Sequence, residues 1–183
     1  AFSYSGLRAV TIPDSVTIIG DSAFYNCKAL TSVSLPDSLT EIESSAFREC
    51  TGLTSVTIPD SVTEIGESAF SGCANLSNVK LSKTLKTLGS RAFKDCTALT
   101  SIVIPKTLER IEFDGYYTGP FGGCTVLKTV TLESGMTKIA ELLFYNCSSL
   151  ESIVIPDSVT AIGDAAFSYS GLRAVTIPDS VTI

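Results

Sequence analysis

The chain has 183 residues, 44% hydrophobic and 17% charged, with Lys+Arg 13 against Asp+Glu 19 and a formal net charge of -6. That is enough chain to bury one substantial core, far from the compositions that stay disordered, and no apolar run approaches the ~20 residues of a membrane-spanning helix. The absence of His and Trp excludes imidazole acid–base chemistry, His-dependent nucleophile pairs and imidazole-bearing zinc sites, and the acidic balance argues against nucleic acid as a partner.

From its start the chain repeats. Phenylalanines fall at Phe2, Phe24, Phe47, Phe70, Phe93, Phe121, Phe144 and Phe167, in steps of 22, 23, 23, 23, 28, 23 and 23 residues. A fixed period of this size is the signature of a solenoid. Within each unit the elements follow one order. An alternating run such as LTSVTI places Val56 and Ile58 on one face and Ser55 and Thr57 on the other, the period of a strand with one buried side. A turn follows at Pro13, Pro36, Pro59, Pro156 and Pro178, where proline presets φ and the Asp or Ser beside it bonds nearby backbone. A second, weaker strand is predicted in runs such as SVTEIG, ending at Gly20, Gly66, Gly89 or Gly163, where a positive φ is expected to bend the chain back. The Phe comes next, preceded by Ala in all units except at Phe121 and Phe144. Three residues later stand Cys27, Cys50, Cys73, Cys96, Cys124 and Cys147, all six cysteines of the chain.

Equivalent positions of a solenoid stack on one another. Phe24, Phe47, Phe70, Phe93, Phe121 and Phe144 are therefore expected to form one internal column, and the six cysteines another of small, weakly polar side chains rather than disulfides or a metal site. Ser5 and Ser170 fall near the cysteine position, and a place that accepts Ser is not a required cross-link. The repeated turn Asp (Asp14, Asp37, Asp60, Asp157, Asp179) is read as turn chemistry, not as a calcium or catalytic series.

Two N-x-S/T sequons, at Asn75 and Asn146, are candidate N-glycosylation sites, the second doubtful because it contains the cysteine expected to be buried. Residues 80–110 hold Lys80, Lys83, Lys86, Arg91, Lys94, Lys106 and Arg110 against only Asp95 and Glu109. Lys80 breaks an outward ladder of Ser34, Thr57, Val103, Thr131 and Val154. This basic band on an acidic rod, with Lys80, Lys83, Lys86 and Arg91 as its candidate binding residues, suits an anionic glycan or an acidic neighbour. The 28-residue unit carries a five-residue insertion near 113–119, FDGYYTG, whose Tyr116 and Tyr117 are candidate contacts for a sugar or a protein.

The pattern L-x-x-V/I-x-I/L-P-x-S-V/L-T-x-I-G-x-x-A-F-x-x-C-x-x-L resembles the BspA-type leucine-rich repeats of bacterial and protozoan surface proteins, over the whole chain. The resemblance implies a leucine-rich-repeat solenoid with a parallel sheet and an adhesive or protein-binding role on a cell surface, and it implies no catalytic residues. The fold expected is a single right-handed solenoid over 1–183 of about seven coils, mostly β and loop, without metal, cofactor or membrane span.

Residues 1–18 are identical to residues 166–183, an offset of 165. The identity predicts a 165-residue super-repeat, and the mid-coil start at Ala1 and stop at Ile183 predict an uncapped segment that continues into further copies of itself, covalently or stacked end to end. Function is thus expected to be non-enzymatic, extracellular, structural and adhesive. The alternative is a recognition module that takes a host protein or glycan through the Lys-rich coil and the Tyr116/Tyr117 loop.

Overall fold

The computed structural model describes residues 1–112 and 118–182. It is a parallel-strand solenoid with about 23 residues per coil, and no helix occurs among the described residues. The first strand of successive coils gives β1 (Ala9–Thr11), β3 (Ser32–Ser34), β5 (Ser55–Thr57), β7 (Asn78–Lys80), β9 (Ser101–Ile104) and β11 (Thr129–Leu132). The second gives β2 (Ile18–Ile19), β4 (Glu41–Ile42), β6 (Glu64–Ile65), β8 (Thr87–Gly89), β10 (Arg110–Glu112), β12 (Lys138–Ile139) and β13 (Ala161–Ile162). All pairings are parallel and join equivalent positions, so that Val56 faces Val79 and Ile42 lies between Ile19 and Ile65.

The continuity of the two ladders is the reverse of the expected one. The first strands pair two by two, as β1–β3, β5–β7 and β9–β11, whereas the second strands form an unbroken five-stranded sheet from β2 to β10. Proline does not by itself explain the difference, since β1 and β3 pair although Pro13 and Pro36 close them, and β7, which no proline follows, does not join β9. Pro13, Pro36, Pro59 and Pro105 close the first strand with a residue that has no N–H to offer the ladder. The second run has no proline, and its backbone donates at every step: Thr40 to Thr17 O at 2.8 Å, Thr63 to Thr40 O at 3.0 Å, Lys86 to Thr63 O at 2.9 Å.

A third axial ladder runs through the turn segments around Phe2, Phe24, Phe47, Phe70, Phe93 and Phe144. The residues two before and two after Phe24, Phe47, Phe70, Phe93, Phe144 and Phe167 are left-handed, as in Ser22 (φ 55°) and Asn26 (φ 57°), Ser45 and Glu49, Arg91 and Asp95, or Leu142 and Asn146. This alternation points every second N–H along the axis. Ser22, Phe24 and Asn26 donate to Ser44, Ala46 and Arg48 of the next coil at 3.0, 2.7 and 2.7 Å, while Ala23, Tyr25 and Cys27 donate within their own turn to Gly20, Ser22 and Phe24. The predicted bend at Gly20, Gly66, Gly89 and Gly163 is corrected accordingly, since none of these glycines has a positive φ. Their role is close approach: a Cβ on Gly89 would fall on the backbone of Gly66 and Glu67 in the preceding coil.

The core fills the tube. The rings of Phe2 through Phe167 stack in one unbroken column, with Phe24 and Phe47 at 5.1 Å and 3°, Phe70 and Phe93 at 5.2 Å and 1°, and the widest step, 6.2 Å, between Phe121 and Phe144. Beside it run the six cysteines, all reduced and buried. Each thiol donates to the carbonyl of the Phe in the preceding coil: Cys50 to Phe24 O at 3.1 Å, Cys73 to Phe47 O at 3.2 Å, Cys96 to Phe70 O at 3.4 Å. The same carbonyl accepts the backbone N–H three residues on, as Phe47 O does from Cys50 at 3.2 Å, so both lone pairs are used. At the first coil the hydroxyl of Ser5 stands 3.3 Å from Cys27 Sγ. Burial pushes the thiols of Cys50 and Cys124 up to about 12 and those of Cys73, Cys96 and Cys147 upward as well.

Two outcomes follow. Phe70 is fully buried between two stacked rings, so Phe70→Ala should cost about 3 to 5 kcal/mol in urea unfolding, and hydrogen exchange should quicken most in the coils of Phe47 and Phe93. The thiols should ignore an aromatic disulfide reagent at pH 8 in the native protein and react together once urea unfolds it, because the thiolate is the nucleophile and burial suppresses it; prompt reaction of several thiols in native buffer would contradict the column.

Candidate functional site

The features available for recognition lie on the outside of the coils. The first strands turn Ser32, Ser34, Ser55, Thr57, Asn78, Lys80, Ser101 and Val103 outward and Val56, Val79, Ile102 and Ile104 inward. The strand register stacks these outward residues into rows, Ser55 beside Asn78 and Thr57 beside Lys80. The result is a flat face of small polar side chains interrupted by one lysine and by Val103 and Val154, which are 50% and 82% exposed.

At that interruption the face carries a groove of about 210 Å3. Its lining combines apolar Val79, Leu81, Val103 and Pro105 with Lys80, Lys83 and Glu133. The turn that bears Asp60 in the preceding coil bears Lys83 here and Lys106 in the next. Lys83 donates its backbone N–H to Asp60 Oδ1 at 3.0 Å and holds its Nζ 3.9 Å from Asp60 Oδ2, an exposed contact of little energetic weight. Lys106, itself exposed, donates its backbone N–H to Glu133 Oε2 at 3.1 Å.

The other lysines and arginines of the basic band lie elsewhere on the circumference. Lys86 is exposed just before β8. Arg110 donates to Thr87 Oγ1 at 3.1 Å and to Glu112 at 3.3 Å. Arg91 is on the turn segment, bound to Glu67 at 2.6 Å, and Lys94 is 3.5 Å from Asp95. The structure therefore brings Lys80 and Lys83 together and separates them from Lys86 and Arg91. Tyr116 and Tyr117 lie outside the described residues.

The second strands carry a surface of opposite sign. Glu41 and Glu64 are paired in register on β4 and β6. With Asp21, Glu43 and Glu112 they surround a depression of about 280 Å3. The Glu64 carboxyl is held above its ordinary range, first by partial burial and then by repulsion from Glu112 and Glu41, which Arg110 offsets in part. No group of three or more metal-ligating side chains among the described residues is arranged to hold a metal ion.

Of the two sequons, Asn75 is exposed, with its amide donating to Thr51 O at 2.9 Å. Asn146 is exposed in a left-handed turn, and the middle residue of its sequon, Cys147, is fully buried. Sequence reasoning missed an aromatic feature. Tyr4 meets Tyr25 edge-on at 5.3 Å with Arg48 over the Tyr25 ring, and Tyr145 meets Tyr169 in the same manner. The available signal was tyrosine directly after the column Phe at Tyr25 and Tyr145, one coil from the tyrosines two residues after it at Tyr4 and Tyr169.

The chain resembles a leucine-rich repeat protein from Bacteroides ovatus at 32% identity, covering 95% of this chain and 52% of that one with a TM-score of 0.72. A Treponema pallidum (T. pallidum) leucine-rich repeat protein shares 34% identity over 78% of this chain and 64% of its own, at a TM-score of 0.68. A leucine-rich cell surface protein of Faecalibacterium prausnitzii shares 33% over 96% of this chain and 55% of its own, at 0.51. The chain thus spans between about half and two thirds of these solved proteins. No curated protein matches it. Repeats of the BspA type leucine-rich repeat region match residues 1–118 and 116–183 in 6 copies, and the chain belongs to that family.

Proposed function

We propose that the chain is a non-enzymatic, extracellular segment of a structural and adhesive repeat protein, part of a longer solenoid array or an end-to-end filament. The observation that carries this reading is the identity of residues 1–18 with 166–183. Its two Phe, Phe2 and Phe167, occupy the same column, stacked on Phe24 and Phe144. Superposing one copy on the other extends the coil with every side-chain row kept, and repeating one such operation builds a filament. A cell-surface setting is supported by the Faecalibacterium prausnitzii relative, which is described as a leucine-rich cell surface protein. In that setting a rigid rod with a flat Ser/Thr face offers many equivalent weak contacts, which suits adhesion.

A second reading is favoured by the groove at Lys80 and Lys83: recognition of an anionic host protein or glycan by the Lys-rich coil, with Tyr116 and Tyr117 as further contacts and Asn75 as a site of glycan attachment, the buried Cys147 arguing against one at Asn146. Negative-stain microscopy and sedimentation of native material test the first reading. They should show an elongated object with a 165-residue period, and a monodisperse globular particle of about 19 kDa would overturn it. Alanine replacement of Lys80, Tyr116 and Tyr117 separates the two: adhesion lost while assembly persists assigns recognition to that coil.

A further inference from the structure

Two charged surfaces of this chain hold side chains that its own fold pairs weakly or not at all, although Glu133 shares the groove of Lys80 and Lys83 and accepts the backbone N–H of Lys106. On the first-strand side, Lys80 and Lys106 form no ion pair among the described residues, and Lys83 has only the exposed 3.9 Å contact with Asp60. On the second-strand side, Glu41, Glu43 and Glu64 form none either, and partial burial, with repulsion from Glu112 and Glu41 added to it, holds the Glu64 carboxyl above its usual range. Arg110, the nearest cation, is already engaged with Glu112 and Thr87.

The two rows have the same spacing for the same reason. Lys83 and Lys106 hold one turn position in consecutive coils, and Glu41 and Glu64 hold one strand position in consecutive coils. Both pairs therefore repeat with the coil rise, ~4.8 Å. Rows that share a period can meet ammonium to carboxylate at each step when two rods lie side by side. Val79, Leu81, Val103 and Pro105, in the lining shared with Lys80 and Lys83, give the contact an apolar part.

We propose that the Lys80, Lys83 and Lys106 face docks laterally on the Glu41, Glu43 and Glu64 ridge of a second copy of this chain. The proposal rests on the reading of that basic face as a docking surface and names its partner. The contact is heterologous: a copy that uses its lysine face keeps its own ridge free, so the contact propagates from rod to rod. It is a different contact from an end-to-end one, in which apolar coil would meet apolar coil. The net charge of -6 on each copy opposes approach in other orientations, so lateral contact is selected where the opposite rows meet.

Sedimentation of the 183-residue chain at 50 and 500 mM salt tests this. Lateral association should weaken by about tenfold or more at the higher salt, since several exposed pairs are screened together, whereas an apolar end contact would persist. The double variants Lys83→Glu/Lys106→Glu and Glu41→Lys/Glu64→Lys should each fail to associate laterally at 50 mM salt, and an equimolar mixture of the two should associate. All four positions are at or near the surface, and circular dichroism confirms that each variant is folded. Salt-independent behaviour of the wild type, or a mixture that stays monomeric, overturns the proposal. Retention on dextran sulfate is the parallel probe. Retention abolished by Lys83→Glu/Lys106→Glu, with no self-association of the wild type, assigns the face to a polyanion and overturns only the second copy as occupant. No retention and no association overturn the docking face as well.

Discussion

Hydrogen bonds directed along the solenoid axis are the constraint from which the rest of this structure follows. A coil of about 23 residues cannot satisfy its backbone by itself, so it leans on its neighbours through three ladders: two between strands and one through the left-handed turn around the Phe. The buried thiols reinforce the third ladder in the opposite sense. At the junction of two coils Phe24 donates forward to Ala46, and Cys50 donates back to Phe24. Each carbonyl at the centre of the tube thereby finds partners without water, which is what permits an interior lined by Phe, Leu, Ile and Cys.

That constraint explains which parts of the molecule could be read from the residues. The Phe and Cys spacing is visible because a stacked column demands the same side chain at the same place in each coil. The left-handed positions are harder to see because the demand there is on the backbone. The position two before the Phe takes Ser22, Arg91, Leu142 and Ala165 alike, whereas the position two after it favours Asn26, Gly72, Asp95, Gly123 and Asn146, types that tolerate the left-handed region, beside Tyr4, Glu49 and Tyr169. Glycine misled for the complementary reason: at Gly89 its small size answers the proximity of Glu67, not a change of φ.

The surface was legible only one coil at a time. Lys80 and Lys83 were candidates from their place in a basic stretch, and three residues of strand and turn suffice to bring them to one groove. Arg91, eight residues further on, has rounded the coil and meets Glu67 of the preceding one. Distance along the sequence is a poor guide on a solenoid, since residues 23 apart are neighbours while residues eight apart can lie on different faces. The acidic ridge shows the same limit: spacing alone puts Glu41 and Glu43 on one strand face, with Glu64 as a counterpart in the next unit, but Glu112 joins them only when the coils are stacked.

The direction of the three ladders also fixes how the rod carries load. A pull on its two ends acts along the bonds that join the coils, and those junctions are in series, each bearing the whole force. Such an object does not fail at once. It yields at one junction, and the freed coil pays out a length of chain on the order of 75 Å before the next junction is strained. Tension is thus relieved in steps, and the neighbouring coil that remains offers the template on which the released segment can rewind when the pull stops.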